Sequence, residues 1–193
     1  MACRGTEGPT SPSIPDATFA RSGISSAWGR AGDSEDTVVT LKRLEPLAQS
    51  YSVSAVIGPR GGSLTIPEAG GTVVFPAGAL ATPTTITMTT RRGRDIAYDF
   101  APHLQFPVPV LVQQDLHGTF AETHPSMLAR LGGAYFEDDL DASFVDQGKR
   151  LARVKEVRAG SVDRRRMLLV FSVNHFSGYL ASSGRQLHAD ELL

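Results

Sequence analysis

His175, Phe176 and Ser177 have the residue types and the spacing that an acyl transfer within the backbone requires. The Ser177 hydroxyl follows directly after the Phe176 carbonyl, and an imidazole lies two residues before that hydroxyl. Ser177 Oγ can attack this carbonyl in an N-to-O acyl shift, with His175 taking the hydroxyl proton and returning it to the Ser177 nitrogen. Water then hydrolyses the ester. The tripeptide therefore predicts one self-cleavage, between Phe176 and Ser177.

The acyl shift is uphill from a relaxed planar amide, so the fold must hold the Phe176–Ser177 peptide distorted. The alternative is a plain β-corner, in which Phe176 packs in the core, His175 hydrogen-bonds locally and Ser177 makes a turn contact. Either interpretation needs a rigid element before the corner. The apolar run 167–173 predicts such an element, a buried strand that stops at the tripeptide.

Composition favours a turn-rich β protein. The 193 residues allow one domain of ordinary size plus a tail, and they include 19 glycines and 12 prolines. The formal net charge of −1 gives no global field for nucleic acid or an anionic membrane, so neither is expected as a partner. There is no apolar run long enough to span a bilayer. No spacing of cysteines or histidines predicts a metal site, and no motif predicts a cofactor.

Alternating patterns divide the chain into three parts. We expect a flexible, disordered tether over 1–36, rich in Ser, Gly and Pro, a β-sandwich domain over 37–183, and a polar tail over 184–193. The domain is predicted to be an antiparallel sandwich of short strands. The predicted strands are 37–41, 51–57, 63–66, 72–75, 84–90, 95–100, 106–113, 134–136, 151–158, 167–173 and 177–182.

Two local predictions concern the elements around the domain's centre. Pro107 and Pro109 cannot donate ladder hydrogen bonds, so their strand is expected at a sheet edge or with a bulge. Residues 126–131 are expected to form one short helix, capped by Ser126 and ended by the glycines at 132 and 133. The segment Gly58 to Gly62 lacks the ending of a phosphate-binding loop and is expected to be a tight turn.

The order of motifs resembles the ZU-five domain, the β module of zona occludens proteins, netrin receptors and ankyrins. The similar segments are Gly-Gly-Ser-Leu-Thr-Ile at 61–66, Val-Val-Phe-Pro-Ala-Gly-Ala-Leu at 73–80, Thr-Ile-Thr-Met at 85–88 and Phe-Pro-Val-Pro-Val-Leu at 106–111. The resemblance covers roughly 54–182, with Leu104 where the family would have a glycine. His175, Phe176 and Ser177 fall where family members carry this tripeptide. The resemblance implies a self-cleavage site, because some relatives cut there, although others stay intact.

The amino end carries a second resemblance. Ala2 and Cys3 followed by a polar, Pro-rich spacer resemble the cleavage point of a bacterial lipoprotein signal, which implies a lipid on Cys3 and a place in the cell envelope or outside the cell. The apolar segment of such a signal is missing, so the true start would lie upstream of Met1. The alternative is a cytoplasmic protein whose third residue is a cysteine.

Other clusters are weaker candidates for chemistry. His117 and His124 could be metal ligands, but solvated loop histidines explain them better. The acidic group at 137–141 lacks the pattern of a calcium loop. The arginines at 164–166 are expected to form a charged hairpin tip, because no aromatic residues accompany them.

Three function classes stay open. The first is a non-catalytic interaction or adhesion module with no action on external substrates, tethered through Cys3, whose protein partner is unknown. The second is the same module cutting itself once at His175-Phe176-Ser177. The third is a ligand- or carbohydrate-binding β-sandwich without cleavage, which would show exposed aromatic residues on one face. The sequence predicts no oligomeric state.

Overall fold

The structure is a computed structural model, and it describes residues 36–137, 140–146 and 148–185. The predicted tether 1–36 lies outside these ranges except for Asp36, and the tail lies outside them from residue 186 onward. Sixteen strands make the domain all-β, as the sequence predicts. They are β1 Asp36–Thr40, β2 Lys42–Leu47, β3 Tyr51–Ile57, β4 Gly62–Ile66, β5 Gly71–Phe75, β6 Thr84–Thr90, β7 Gly93–Asp95, β8 Ala97–Ala101, β9 Gln105–Asp115, β10 Gly132–Phe136, β11 Phe144–Asp146, β12 Leu151–Val154, β13 Glu156–Ala159, β14 Ser161–Asp163, β15 Leu168–His175 and β16 Gly178–Arg185.

The strands pair antiparallel in three sheets. The large sheet has nine strands, with the order β11-β12-β1-β16-β8-β6-β3, and β10 and β13 branch from β16. The five-stranded sheet has the order β14-β15-β9-β5-β4, and the small sheet consists of β2 and β7. The large and five-stranded sheets face each other, as a sandwich requires, because buried side chains from both form one core.

Strand β16 is buried on both faces. Its Tyr179 belongs to the core between the two main sheets, and the next residue, Leu180, belongs to a second cluster on the other side of the large sheet. That second cluster includes Val38, Phe136 and Leu140. Because successive side chains of a strand point to opposite faces, β16 joins both clusters.

Of the two alternatives predicted for β9, an edge position or a bulge, the structure does not show the edge position. β9 lies inside the five-stranded sheet and pairs with β15 and β5. The register with β15 shifts between Val173, opposite Val110, and His175, opposite Gln105. Pro107 and Pro109 lie in this irregular stretch, which confirms the predicted bulge. The pairing with β5 ends at Leu111, so neither proline must donate to it.

One prediction needs correction. The helix expected over 126–131 is a 3₁₀ helix, Pro125–Arg130, which begins at a proline and has no side-chain cap from Ser126. An α-helix precedes it, α1 Phe120–Thr123, capped by Thr119. A short α2, Leu140–Ser143, and a 3₁₀ turn, Pro67–Ala69, complete the helices. Pro46 lies within β2.

The turn between β3 and β4 depends on Gly61. This residue has φ of +80°, and its amide donates to the Gly58 carbonyl at 2.9 Å. A Cβ atom at position 61 would lie 2.2 Å from the Phe75 carbonyl oxygen, whereas one at Gly58 would meet nothing within 4 Å. The predicted tight turn is confirmed, and its geometry excludes a side chain at one glycine but not at the other.

We predict that Gly61→Ala lowers the free energy of unfolding by at least about 2 kcal/mol, because it combines a left-handed backbone with a backbone clash. Urea denaturation measures the loss. Gly58→Ala is the matched control and should change the free energy by less than about 0.5 kcal/mol. Equal effects of the two substitutions would contradict this account of the turn.

Candidate functional site

The predicted site residues lie where the chain crosses from one main sheet to the other. His175 ends β15 in the five-stranded sheet, and Gly178 begins β16 in the large sheet, so Phe176 and Ser177 form the connection. The strand predicted before the corner is two residues longer than expected at its carboxyl end. Phe176 and Ser177 are buried, and His175 is partly exposed.

The backbone is held on both sides of the Phe176–Ser177 peptide. The Phe176 amide donates to the Leu104 carbonyl at 2.7 Å, and the Ser177 carbonyl accepts from the Phe100 amide at 3.0 Å. Neither Phe176 nor Ser177 has a positive φ. These two hydrogen bonds tie the connection to β8 and to the segment that precedes β9.

The side chain of Phe176 is clamped by three other rings. Its centroid lies 4.4 Å from that of Phe100 in a stacked arrangement, and 4.6 Å from Phe106 and 5.5 Å from Phe75 in edge-on arrangements. Phe100 belongs to the large sheet, whereas Phe75 and Phe106 belong to the five-stranded sheet. Each well-placed aromatic pair contributes about 0.5–1.5 kcal/mol beyond its buried area. The ring is therefore fixed from both layers.

The imidazole of His175 bonds to neighbours other than Ser177. Its Nε2 lies 3.3 Å from Glu156 Oε2, and the Tyr179 hydroxyl lies 3.3 Å from Nδ1 and 3.2 Å from Nε2. The same hydroxyl donates to the His175 carbonyl at 3.1 Å. Because a hydroxyl has one proton, it accepts from a ring N–H when it donates to that carbonyl. Tyr135 packs edge-on against the imidazole, with centroids 4.7 Å apart.

Sequence patterns did not reveal Glu156, Tyr135 or Tyr179 as neighbours of His175. Glu156 is 19 positions from the histidine and comes next to it through the pairing of β13 with β10. Its other oxygen, Oε1, accepts from Arg158 Nη2 at 2.5 Å. Tyr179 is four residues from His175, but the two residues lie in different strands, so their spacing alone does not predict a contact. The turn from β15 into β16 brings them together.

The hydroxyl of Ser177 makes no hydrogen bond with another residue in the part of the chain that the structure describes. Ser177 and His175 nevertheless line one open cavity of about 480 Å³, together with Phe176, His103, Gln105 and Tyr135. The two residues therefore share one opening to solvent, with no direct hydrogen bond between the imidazole and the hydroxyl.

The other candidates do not form a site. The His117 imidazole bonds to Asp115 at 2.7 Å, and His124 bonds to the Phe120 carbonyl at 3.0 Å, each in its own exposed loop. Within the described ranges no cluster of three or more His, Cys, Asp or Glu residues could hold a metal ion. The acidic group is described only at Glu137 and Asp141, and Cys3 lies outside the described residues. Arginines 164–166 form the tip of the β14–β15 hairpin, as predicted.

The chain matches no protein family or curated protein with which it was compared. Among the described residues, no helix combines the length and the apolar character that a membrane crossing needs. The class that the structure defines is therefore an all-β, sandwich-like domain of antiparallel sheets.

Burial and a nearby carboxylate change the pKa of Tyr179. Burial, and then the charge of Glu156, raise the pKa of Tyr179 well above its ordinary value, and the Arg158 guanidinium opposes this only partly. A folded-state pKa above the unfolded one means that the unfolded chain loses this proton first. The stabilisation is complete below the unfolded pKa of about 10 and declines as the pH rises above it.

We predict that Tyr179→Phe flattens the alkaline loss of stability. Between about pH 10 and pH 11.5, the free energy of unfolding of the wild type should fall more steeply than that of the variant, by up to about 1.4 kcal/mol per pH unit. Chemical denaturation at several pH values measures both slopes. The variant should also be less stable at pH 7 by about 1 kcal/mol, because it loses hydroxyl hydrogen bonds. Identical alkaline slopes would contradict the raised pKa.

Proposed function

We propose that the chain is a β-sandwich interaction module of the ZU-five type that cuts its own backbone once, between Phe176 and Ser177, and stays assembled afterwards. One observation carries the proposal. The Phe176–Ser177 peptide is anchored by hydrogen bonds on both sides and by the clamped Phe176 ring, while His175 and Ser177 line the same opening to solvent. Anchoring, a base, a nucleophile and access for water are what the reaction needs.

The reaction begins with proton transfer from Ser177 Oγ to His175. Oγ forms a bond to the Phe176 carbonyl carbon, the carbon–nitrogen bond breaks, and the histidine returns the proton to the Ser177 nitrogen. One water molecule from the cavity then hydrolyses the ester, which leaves a Phe176 carboxylate and restores the Ser177 hydroxyl. Glu156 acts as a positioning residue, because its hydrogen bond to Nε2 orients the imidazole.

The magnitudes permit a distorted peptide at this corner. A strained backbone position requires about 1–3 kcal/mol, and the three aromatic pairs around Phe176 together contribute a similar amount. Ring contacts of this size would offset such a distortion, which self-cleavage requires. In the plain β-corner, by contrast, the same contacts would only add stability.

The fragments of the cut chain would stay together because β16 lies inside the large sheet. It pairs with β8, β10 and β1, and its side chains from Tyr179 to Ala181 are buried. Cleavage is then a single turnover that creates a new amino terminus within an intact domain. The carbohydrate-binding alternative has no observation in its favour, since the exposed large hydrophobic residues of the described chain are Val56, Leu111 and Val145, none of them aromatic. The tether to an envelope through Cys3 remains a separate prediction.

We predict that the wild-type chain of 20.6 kDa separates under denaturing conditions into two species. The smaller one should have a mass of about 1.8 kDa, because it contains the seventeen residues from Ser177 onward, and should begin with Ser177. Intact-mass spectrometry measures both. Ser177→Ala should abolish the cut, His175→Ala should slow it at least about a hundredfold, and Glu156→Gln should slow it less.

The matched control is Ser172→Ala, which alters an exposed serine in β15 and should cut at the wild-type rate. Circular dichroism and thermal melting check that each variant is folded. A folded wild-type chain that keeps its full mass for days would contradict the proposal. Cleavage of Ser177→Ala at the wild-type rate would also contradict it, because an external protease would then be responsible.

A further inference from the structure

A second cavity, remote in sequence from the tripeptide, collects positive charge. It lies beside the small sheet and has a volume of about 570 Å³. Its cationic lining residues are Lys42, Arg91, Arg92, Arg94 and Arg150, and its carboxylates are Asp95 and Asp141. The lining alone has five cations against two carboxylates, and Asp99, which pairs with Arg91 from outside the lining, offsets one more positive charge. This concentration stands out in a chain whose formal net charge is −1.

Both carboxylates of the cavity are already engaged by arginines. Arg150 donates through Nε to Asp95 Oδ1 at 3.1 Å and pairs with Oδ2 of the same residue, and its guanidinium covers the Phe144 ring at 3.7 Å. Arg91 lies 3.9 Å from Asp141 and also donates to Asp99 at 3.2 Å. These pairs fix Arg91 and Arg150 in place.

The remaining cations are not neutralised. Arg94 donates to the backbone carbonyls of Leu44 and Arg43, which position its guanidinium without cancelling its charge. The side chains of Lys42 and Arg92 form no ion pair with any residue in the described ranges. Like charges in one concave site repel each other and raise the local concentration of anions. Among the described residues, no carboxylate neutralises these three cations, so the cavity is suited to an external anion.

The types of the lining residues define the ligand. Arginine guanidinium groups bind phosphate and sulfate oxygens through paired donors, and four of the five cations are arginines. Among the described residues that line the cavity none is aromatic, so a stacked base has no platform. Lys42, Arg92 and Arg94 together carry three charges without a carboxylate partner in the described ranges, more than one monovalent anion would neutralise. The features together favour a compact ligand with several anionic groups over a nucleic-acid strand.

We propose that this cavity binds a compact anion that carries two or more phosphate or sulfate groups. Lys42 and Arg92 supply charge, and Arg94, held by carbonyls, supplies oriented donors. Two probes distinguish the two kinds of anionic group: inorganic tripolyphosphate carries phosphates, and sucrose octasulfate carries sulfates. Isothermal titration calorimetry of the full chain should show binding of at least one probe, weakened at higher ionic strength.

The discriminating variant is the double substitution Lys42→Gln and Arg92→Gln. It removes two positive charges that form no ion pair with any described residue. It should weaken binding of the better probe about tenfold. The matched control, Arg164→Gln with Arg165→Gln, removes two charges from the exposed β14–β15 hairpin tip and should change affinity less than about twofold. Thermal melting without ligand checks folding. Absence of binding by both probes up to about 1 mM, or equal weakening in the two variants, would overturn the proposal.

Discussion

The position of Phe176 between the two main sheets is the constraint on which the site depends. Its ring stacks on Phe100 of the large sheet and meets the edges of Phe75 and Phe106 of the five-stranded sheet. The main chain next to it is tied to Leu104 and Phe100. Because both layers hold this residue, the connection from β15 to β16 has little freedom to relax. The packing of the core therefore determines the conformation of the Phe176–Ser177 peptide.

The same crossing places His175 at the surface of that core. His175 is the last residue of β15, so its imidazole reaches the rim, where Glu156 from β13 and Tyr179 from β16 surround it. Side chains from two other strands therefore determine the surroundings of this histidine, and one of them, Glu156, is 19 positions away in sequence. Burial of the Tyr179 hydroxyl keeps it protonated, so it remains a neutral hydrogen-bond partner for the ring.

The sequence predicted the features of this fold that depend on local patterns within one segment. Alternation and turn residues predicted the β class, and the apolar run before His175 predicted a buried strand that reaches the corner. The prolines of β9 predicted an edge position or a bulge, and the structure shows the bulge. An interior strand tolerates them because a proline's missing donor matters only where a partner strand faces it, and the β5 pairing ends before Pro109. β2 also accommodates a proline, Pro46. The register between β2 and β7 shifts between Lys42 and Leu47, so no regular ladder requires a donor from Pro46.

The sequence revealed the tripeptide but not its neighbours. Glu156 carries no motif, and only the antiparallel pairing of β13 and β10 brings it to His175. The cationic cavity beside β2 and β7 has the same origin, because Lys42 and Arg150 meet the arginines of 91–94 through sheet pairing and loop packing. Long-range pairing produced both sites, and periodicity within one segment cannot predict such contacts.

The central claim is that an ester forms between the Phe176 carbonyl and the Ser177 oxygen. Hydroxylamine tests it most directly, because it attacks esters and would convert the Phe176 end into a hydroxamate. Freshly synthesised chain treated with hydroxylamine should yield a fragment ending at Phe176 that is about 15 Da heavier than the free acid, with faster cleavage than in buffer. A fragment that carries only the free acid, at a rate that hydroxylamine leaves unchanged, would contradict the claim.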